Sequence, residues 1–242
     1  MNTMPKAIRA DGKPDIRRIF SVAAPRIDIL SAAFSFGHSY LWRQAAIKLS
    51  GIKRGDRVLD LCTGTGKLAI PIARKVGTGG SVTGVDFCED MLNIARKRAG
   101  ASGNPAVRNI SFLISDIRGL PFEDASFDAA TVSYGIRNVP ELPRALREIR
   151  RVLRPGGIFT CLELMWPEAG WFQPIYRFYM FRIVPAVGRV VLGSNDPYAH
   201  LSRSINEFYS GRELMALMKE CGFGTVEAHQ MTLGIAQVFT AS

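Results

Sequence analysis

From Arg57 onward, apolar runs of strand length alternate with segments whose apolar positions recur at helical spacing. Residues 58–61 form the first run, a glycine-rich turn follows, and 68–76 reads as a helix. Residues 81–85 predict a second strand and 88–99 its helix, while 110–114 and 127–133 predict strands three and four. Over 141–154, Leu142, Ala145, Leu146, Ile149, Val152 and Leu153 share one helical face, which leaves Arg144, Arg147, Arg150, Arg151 and Arg154 for the other. Pro155-Gly156-Gly157 ends that helix, and 158–164 predicts a fifth strand. A helix over 211–220 precedes two runs, 225–231 and 235–240, close enough to pair as a hairpin.

Parallel neighbours need crossover connections, so this alternation predicts an α/β fold: a doubly wound, mostly parallel seven-stranded sheet with one antiparallel strand from the C-terminal hairpin. Ligands in such Rossmann-like sheets bind at the carboxyl ends of the strands. Two segments fall outside the alternation. Residues 1–54 look helical, with breaks at Pro25 and Gly37, and 166–209 is an aromatic-rich insertion. Both are expected to form a helical lid over the strand ends: an N-terminal arm, 1–54, and a cap, 166–209, within a domain spanning 55–242.

The 242 residues are 47% hydrophobic and 21% charged, far from compositions that stay disordered. Thirty-one Lys and Arg against 21 Asp and Glu give a formal net charge of +10, which first suggests nucleic acid, an anionic membrane or an acidic ligand. Divided along the chain, however, +7 falls within 1–54 and +3 within 141–154, so the centre is nearly balanced. That distribution favours approach to an anionic membrane over a nucleic-acid surface. Cys62, Cys88, Cys161 and Cys221 form no C-x-x-C pair, and His38, His200 and His229 fall into no ligand spacing. No metal is expected, and the three histidines read as surface or packing residues. The first fifteen residues lack an apolar signal region, so a cytoplasmic location is expected.

Asp60-Leu-Cys-Thr-Gly-Thr-Gly66 ends a strand and opens a helix, where glycines allow close backbone approach to a ligand. It is not a P-loop, because Lys67 is followed by Leu68 and Leu61 stands where the first glycine would be. Twenty residues beyond Gly66, Asp86 closes the second strand, where a carboxylate can accept both ribose hydroxyls. A dehydrogenase remains open on these features, although Ala69 stands where the third glycine of G-x-G-x-x-G belongs. Asp116 and Ile117, after the third strand, suit an adenine edge and face. The fourth strand leads into Ser133-Tyr134-Gly135-Ile136-Arg137-Asn138, which sets a hydroxyl, a phenol, a guanidinium and an amide at the reacting end. A surface salt bridge is the alternative for Arg137, and core packing the alternative for Tyr134. Neither a G-x-S-x-G elbow nor a Cys/His arrangement is present.

These residues resemble the class I S-adenosylmethionine-dependent methyltransferases, and among them the UbiE-type C-methyltransferases of menaquinone and ubiquinone biosynthesis. The markers are Arg54-Gly-Asp-Arg-Val-Leu-Asp-Leu61, Gly64-Thr-Gly66, Asp86, Leu120-Pro-Phe122, Ser133 with Gly135-Ile-Arg-Asn-Val139, and Arg151-Val-Leu-Arg-Pro-Gly-Gly157. The resemblance implies S-adenosyl-L-methionine as cofactor. Gly64, Thr65 and Gly66 would line its methionine side with Asp60 nearby, Asp86 and Phe87 the ribose, Asp116 and Ile117 the adenine, and Ser133 the inner wall. It also implies a polyprenyl quinol as acceptor, with Arg137 and Asn138 stabilising the developing phenolate and Tyr134 as a second candidate. Ile27, Thr63 and Lys67 depart from the family's usual residues, and the departure at 27 favours an alternative lipophilic or aromatic acceptor. Residues 171–192 are apolar but carry Arg177, Arg182, Arg189, Pro174 and Pro185, which argues against a spanning helix and leaves a packed cap or a substrate-channel or membrane-facing role. No nucleic-acid partner is expected, and a homodimer is left open.

Overall fold

The computed structural model describes the backbone of residues 15–192 and 196–242. The basic residues at 6, 9 and 13 of the expected arm lie outside it. Three helices come first: α1 (Ile16–Ala23), α2 (Ile27–Phe34) and α3 (His38–Leu49). The alternating region follows as β1 (Arg57–Leu61), α4 (Ala69–Val76), β2 (Ser81–Asp86), α5 (Glu89–Gly100), β3 (Ile110–Ile114), β4 (Phe127–Ser133), α6 (Leu142–Val152) and β5 (Leu153–Leu164). The cap contributes α7 (Gln173–Phe178), a π-turn over Tyr179–Ile183, α8 (Val184–Leu192) and α9 (Asp196–Glu207). The chain closes with α10 (Gly211–Glu220), β6 (Val226–Met231) and β7 (Ala236–Ala241).

The sheet order is β3-β2-β1-β4-β5-β7-β6, in which β7 alone runs antiparallel, pairing with β5 and β6. Strands β1 and β4 are central and buried on both faces, which accounts for the continuous apolar runs Val58-Leu59 and Ala129-Ala130. The reversal of strand order beside β1 opens a crevice at the carboxyl ends of β1 and β4.

Helix α6 buries Leu142, Ala145, Leu146, Ile149 and Val152, as its spacing predicts. Several arginines of this segment make bonds within the chain while staying partly exposed to solvent. Arg151 pairs with Glu148 at 2.9 Å and Asp124 at 2.7 Å, Arg154 pairs with Asp128, and Arg144 donates to the Arg118 carbonyl at 2.9 Å. Part of the +3 in this segment therefore stitches the 118–128 loop to the sheet. The fifth strand also starts earlier than its apolar pattern suggests. Phe127 pairs with Leu153 and Ala129 with Ile158, so Pro155-Gly156-Gly157 bulges out of a continuous strand. Gly156 sits at φ 78°, and Pro155 has no N–H to lose from the ladder.

At the carboxyl end of the sheet the N-terminal helices and the cap pack on one another. Leu30 of α2 is buried with Tyr176, Met180, Val184 and Ile205, and the Tyr179 hydroxyl donates to the Phe34 carbonyl at 2.8 Å. Trp42 of α3 donates from Nε1 to Thr232 Oγ1 at 3.0 Å, which ties the lid to the turn before β7. Among the described residues no helix is long and apolar enough to cross a membrane.

Candidate active site

The crevice is a cavity of about 1160 Å³, roofed by α1–α3 and α7–α9. Its floor is set by an unusual stretch of backbone. Cys62 (φ 48°), Gly64 (φ 54°) and Gly66 (φ 76°) all take the left-handed conformation, so the chain leaving β1 coils into a tight loop, closed by the Gly66 N–H donating to the Thr63 carbonyl at 3.0 Å. Asp60 holds this loop from below. Its carboxylate accepts from Thr63 Oγ1 at 2.6 Å and Thr131 Oγ1 at 2.7 Å. Burial raises the Asp60 pKa to about 6.

A carboxyl whose folded pKa lies above its unfolded value binds protons more tightly when folded, so Asp60 stabilises the fold least once pH passes about 6. Between pH 4 and 7 the wild type is expected to lose on the order of 2 kcal/mol relative to Asp60→Asn, read from urea midpoints at each pH. Parallel pH profiles for the two proteins would refute the linkage.

Asp86 crosses from β2 to the loop, accepting from Gly64 N at 2.8 Å and Cys88 N at 2.9 Å. Burial raises its pKa as well, and these amide bonds oppose the shift. Each oxygen keeps a lone pair for a further donor. Ile117 and Phe87 supply apolar walls beside it. Asp116 is gripped side-on by Arg118, with Nη2 2.6 Å from Oδ2, which holds its carboxyl below the usual range.

The other end of the cavity is built on the turn after β4. Arg137 donates to the Tyr134 carbonyl at 2.8 Å and Ser204 Oγ at 3.3 Å, and forms an ion pair with Glu163. The side chains of Arg137 and Glu163 are only 7% and 0% exposed, so the surface salt bridge considered for Arg137 is instead a buried one. Asn138 Oδ1 lies 2.7 Å from Nε2 of His200 on α9. Burial, reinforced by Arg137 and Arg203, pushes the His200 pKa down to about 4, so its ring is neutral at physiological pH. Tyr134, at φ 60°, buries its hydroxyl, which pushes the phenol pKa up.

Of the four buried side-chain polar atoms that lack a hydrogen-bond partner among the described residues, three belong to this cavity's lining: Arg43 Nε, Tyr134 Oη and Asn138 Nδ2. Buried donors are seldom left unpaired, so their concentration here marks a site shaped for a polar ligand. The Arg43 guanidinium lies 4.9 Å from the Tyr134 ring centroid and donates from Nη1 to the Ser39 carbonyl at 3.1 Å, and among the described residues no carboxylate forms an ion pair with it. Desolvation lowers its pKa while Tyr134, Asp28 and Asp60 act on it through space in the opposite sense. An anionic group entering the cavity would satisfy it.

Ten of the twelve residues singled out from sequence line this one cavity: Gly64, Thr65, Asp86, Phe87, Asp116, Ile117, Ser133, Tyr134, Arg137 and Asn138. Asp60 and Gly66 lie behind the wall, where Gly66 packs against Ala95, so they shape the loop without facing the space. The sequence alone passed over Glu163 and Arg43, and its reading of His200 as a surface or packing residue is corrected by the place of that residue in the cavity lining beside Asn138. A charged residue within the apolar run 158–164 was a signal for Glu163, whereas no spacing marked His200. Two departures also find their places. Lys67 lies 3.6 Å from Asp28 of α2, and Arg98 closes the same cluster at 2.5 Å while Thr65 Oγ1 donates to Asp28 at 2.9 Å. Ile27 packs in a cluster with Phe20, Phe87, Cys88 and Met91, the residues that follow Asp86 among them.

Gly135 is sterically required. A Cβ there would lie 2.4 Å from Cys62 Cβ, so Gly135→Ala is expected to cost about 1–3 kcal/mol through overpacking. Adding Cys62→Gly, which also suits φ 48°, should recover most of the loss in thermal denaturation. A double variant no more stable than Gly135→Ala would refute this contact as the cause.

The residues present fit S-adenosylmethionine: Arg43 offers an unpaired cation for a carboxylate, Asp86 free lone pairs for ribose hydroxyls, and Phe87 with Ile117 apolar faces for adenine. Comparison with known proteins agrees. The sequence profile described as the ubiE/COQ5 methyltransferase family matches residues 8–242. Demethylmenaquinone methyltransferase of Staphylococcus aureus strain JH9 is 35% identical over 224 residues, covering 93% of this chain and 91% of that protein. Among solved structures, a SAM-dependent methyltransferase from Aquifex aeolicus superposes with a TM-score of 0.61 at 21% identity, over 82% of this chain and 88% of that one. The [4+2]-cyclase SpnF shares the fold equally well, with a TM-score of 0.63 at 21% identity over 94% of this chain and 78% of its own. Fold alone therefore does not decide the reaction.

Proposed function

The chain belongs to the ubiE/COQ5 methyltransferase family and is an S-adenosylmethionine-dependent methyltransferase, and from that premise we propose that it methylates a ring carbon of a demethylmenaquinol-type polyprenyl quinol. The observation that carries this reading is the continuity of the cavity. The polar loop at Gly64 and Asp86 shares one cavity with the apolar residues Leu30, Phe34, Phe172, Tyr176 and Met180, and Tyr134 and Asn138 line that cavity as well. A flat aromatic ring and the first units of a prenyl tail suit that chamber.

When bound, S-adenosylmethionine supplies a methyl group already activated by a sulfonium. The protein must then orient the acceptor and stabilise charge developing on it. Arg43 holds the cofactor's carboxylate, Gly64 and Thr65 its methionine side, Asp86 the ribose, and Asp116 with Ile117 the adenine. Orientation in such a site can contribute as much as about 7–11 kcal/mol to the barrier reduction. At the acceptor end, Tyr134 Oη and Asn138 Nδ2 are unpartnered donors that can face an oxygen gaining negative charge. Arg137 is fixed by Glu163 and Ser204, so its part is to shape this turn and set its field.

Residues 1–54 and 166–209 act in this reading as the lid and cap of a core spanning 55–242. Trp171, Ile175 and Phe178 are exposed on the cap beside Arg177 and Arg182, a composition that favours contact with an anionic membrane on its cytoplasmic face. The alternative of another aromatic acceptor drew on Ile27, and the position of that residue at the cofactor end weakens it.

Labelled S-adenosylmethionine, a panel of demethylated quinols and product masses provide the test. Carbon methylation of a naphthoquinol is expected. Exclusive oxygen methylation, or transfer only to an unrelated acceptor, would overturn the reading.

A further inference from the structure

The geometry points to His200 as the group that takes the proton from the acceptor's hydroxyl as its ring carbon is methylated, an assignment that rests on the quinol reading above. His200 lines the cavity next to Asn138, and its protonation pattern is fixed by that neighbour. Asn138 Oδ1 can only accept, so the Nε2 atom 2.7 Å from it carries the ring's single proton. The lone pair therefore sits on Nδ1, for which no hydrogen-bond partner occurs among the described residues. The same bond leaves Asn138 Nδ2 as an unpartnered buried donor. One side-chain pair thus offers an acceptor for a hydroxyl proton and a donor for a ring oxygen.

The alternatives at this end of the cavity are less suited to taking up a proton. Arg137 is a guanidinium already paired with Glu163, and it has no lone pair to offer. Tyr134 is protonated, because burial pushes its phenol pKa up. Glu163 is fully buried and committed to Arg137. Two charged groups act on the His200 ring, Arg137 from the turn, itself paired with Glu163 of β5, and Arg203 on its own helix, while Asp15 and Arg17 at the start of α1 line the same cavity. The two arginines nearest in effect, Arg137 and Arg203, disfavour a second positive charge while the cavity is empty.

Methyl transfer changes that balance. The hydroxyl O–H bond breaks, its proton going to Nδ1, and the electron pair it leaves is delivered through the ring to form the new carbon–carbon bond. The methyl–sulfur bond breaks with its pair remaining on sulfur, so the sulfonium charge disappears as the imidazolium charge appears. Net charge within the low-dielectric cavity is conserved, which removes the penalty of creating a lone buried cation. Loss of the ring carbon's hydrogen as a proton and reprotonation of the oxygen then restore the aromatic ring, with one proton released per methyl transferred.

The test uses the full chain and two readouts. The first is equilibrium binding without S-adenosylmethionine. Wild type should bind 4-methoxy-1-naphthol about five- to tenfold more tightly than 1,4-dimethoxynaphthalene, the contribution of one hydrogen bond to Nδ1. In His200→Ala that preference should vanish. The second is single-turnover methyl transfer, which should fall about 100-fold or more in His200→Ala, with cofactor affinity unchanged and the rate partly restored by added imidazole. His200→Asn keeps a polar side chain on α9 and should fold normally while remaining as slow. Either variant transferring within threefold of wild type, or retaining the preference for the free hydroxyl, overturns the assignment while leaving the quinol reading in place. Wild type that binds cofactor but methylates no quinol overturns the quinol reading and this assignment with it.

Discussion

Arg137→Ala is expected to destabilise the protein by about 3–5 kcal/mol, because it strands the Glu163 carboxylate with no solvent contact and no counter-ion. Two further losses accompany this. The guanidinium also clamps the Tyr134 carbonyl and Ser204, so the turn bearing Tyr134 and Asn138 loosens and α9 loses a tie to it. Methyl transfer should fall by about 100-fold or more as a preorganised site becomes mobile. Stability and activity can be separated by removing both charges. Arg137→Met with Glu163→Leu should regain most of the folding free energy in urea titrations, since apolar replacements of a buried ion pair are often neutral. Activity should stay low in that double variant. If Arg137→Ala keeps full turnover with cofactor bound, neither the field nor the geometry of this turn matters to the reaction.

Arg43→Met carries the opposite signature. Its guanidinium is desolvated and its Nε unpartnered, so removing it relieves a buried charge. The ligand-free protein should lose no more than about 1–2 kcal/mol, the contribution of its contact with the Tyr134 ring and its bond to the Ser39 carbonyl. Cofactor affinity should nevertheless weaken by about 10- to 100-fold, the range for a hydrogen bond to a charged group. Calorimetric titration with S-adenosylhomocysteine, which retains the carboxylate, checks this directly. Affinity within threefold of wild type would place the carboxylate elsewhere.

The sheet was legible because each strand's burial is written in its own residues. Strands β3 and β4 and helix α10 begin and end where their apolar runs do, and α10 carries a capping box between Ser210 and Glu213 that marks its start. The early start of β5 was hidden because Pro155-Gly156-Gly157 reads as a terminator, and only pairing with β4 carries the strand across it. Much of the site was legible for a similar local reason. Gly64, Asp86 and Asn138 sit at strand ends, where topology alone sends them to one crevice. Arg43 and His200 reach that crevice from the lid and the cap, and nothing local to either residue specifies how those helices pack. Glu163 announced its burial by its setting, but its partner lies 26 residues upstream.

The two ends of the cavity are held by ion pairs of different character. At the cofactor end, Asp28 joins α2 to Lys67 and Arg98 through side chains that are 23–36% exposed. At the acceptor end, Arg137 and Glu163 are sealed from solvent. Mobile ions screen only the first of these effectively, since the Debye length shrinks from about 10 Å at 0.1 M to about 3 Å at 1 M. Ionic strength therefore acts on one half of the site, loosening the lid over the cofactor loop while the acceptor turn keeps its shape.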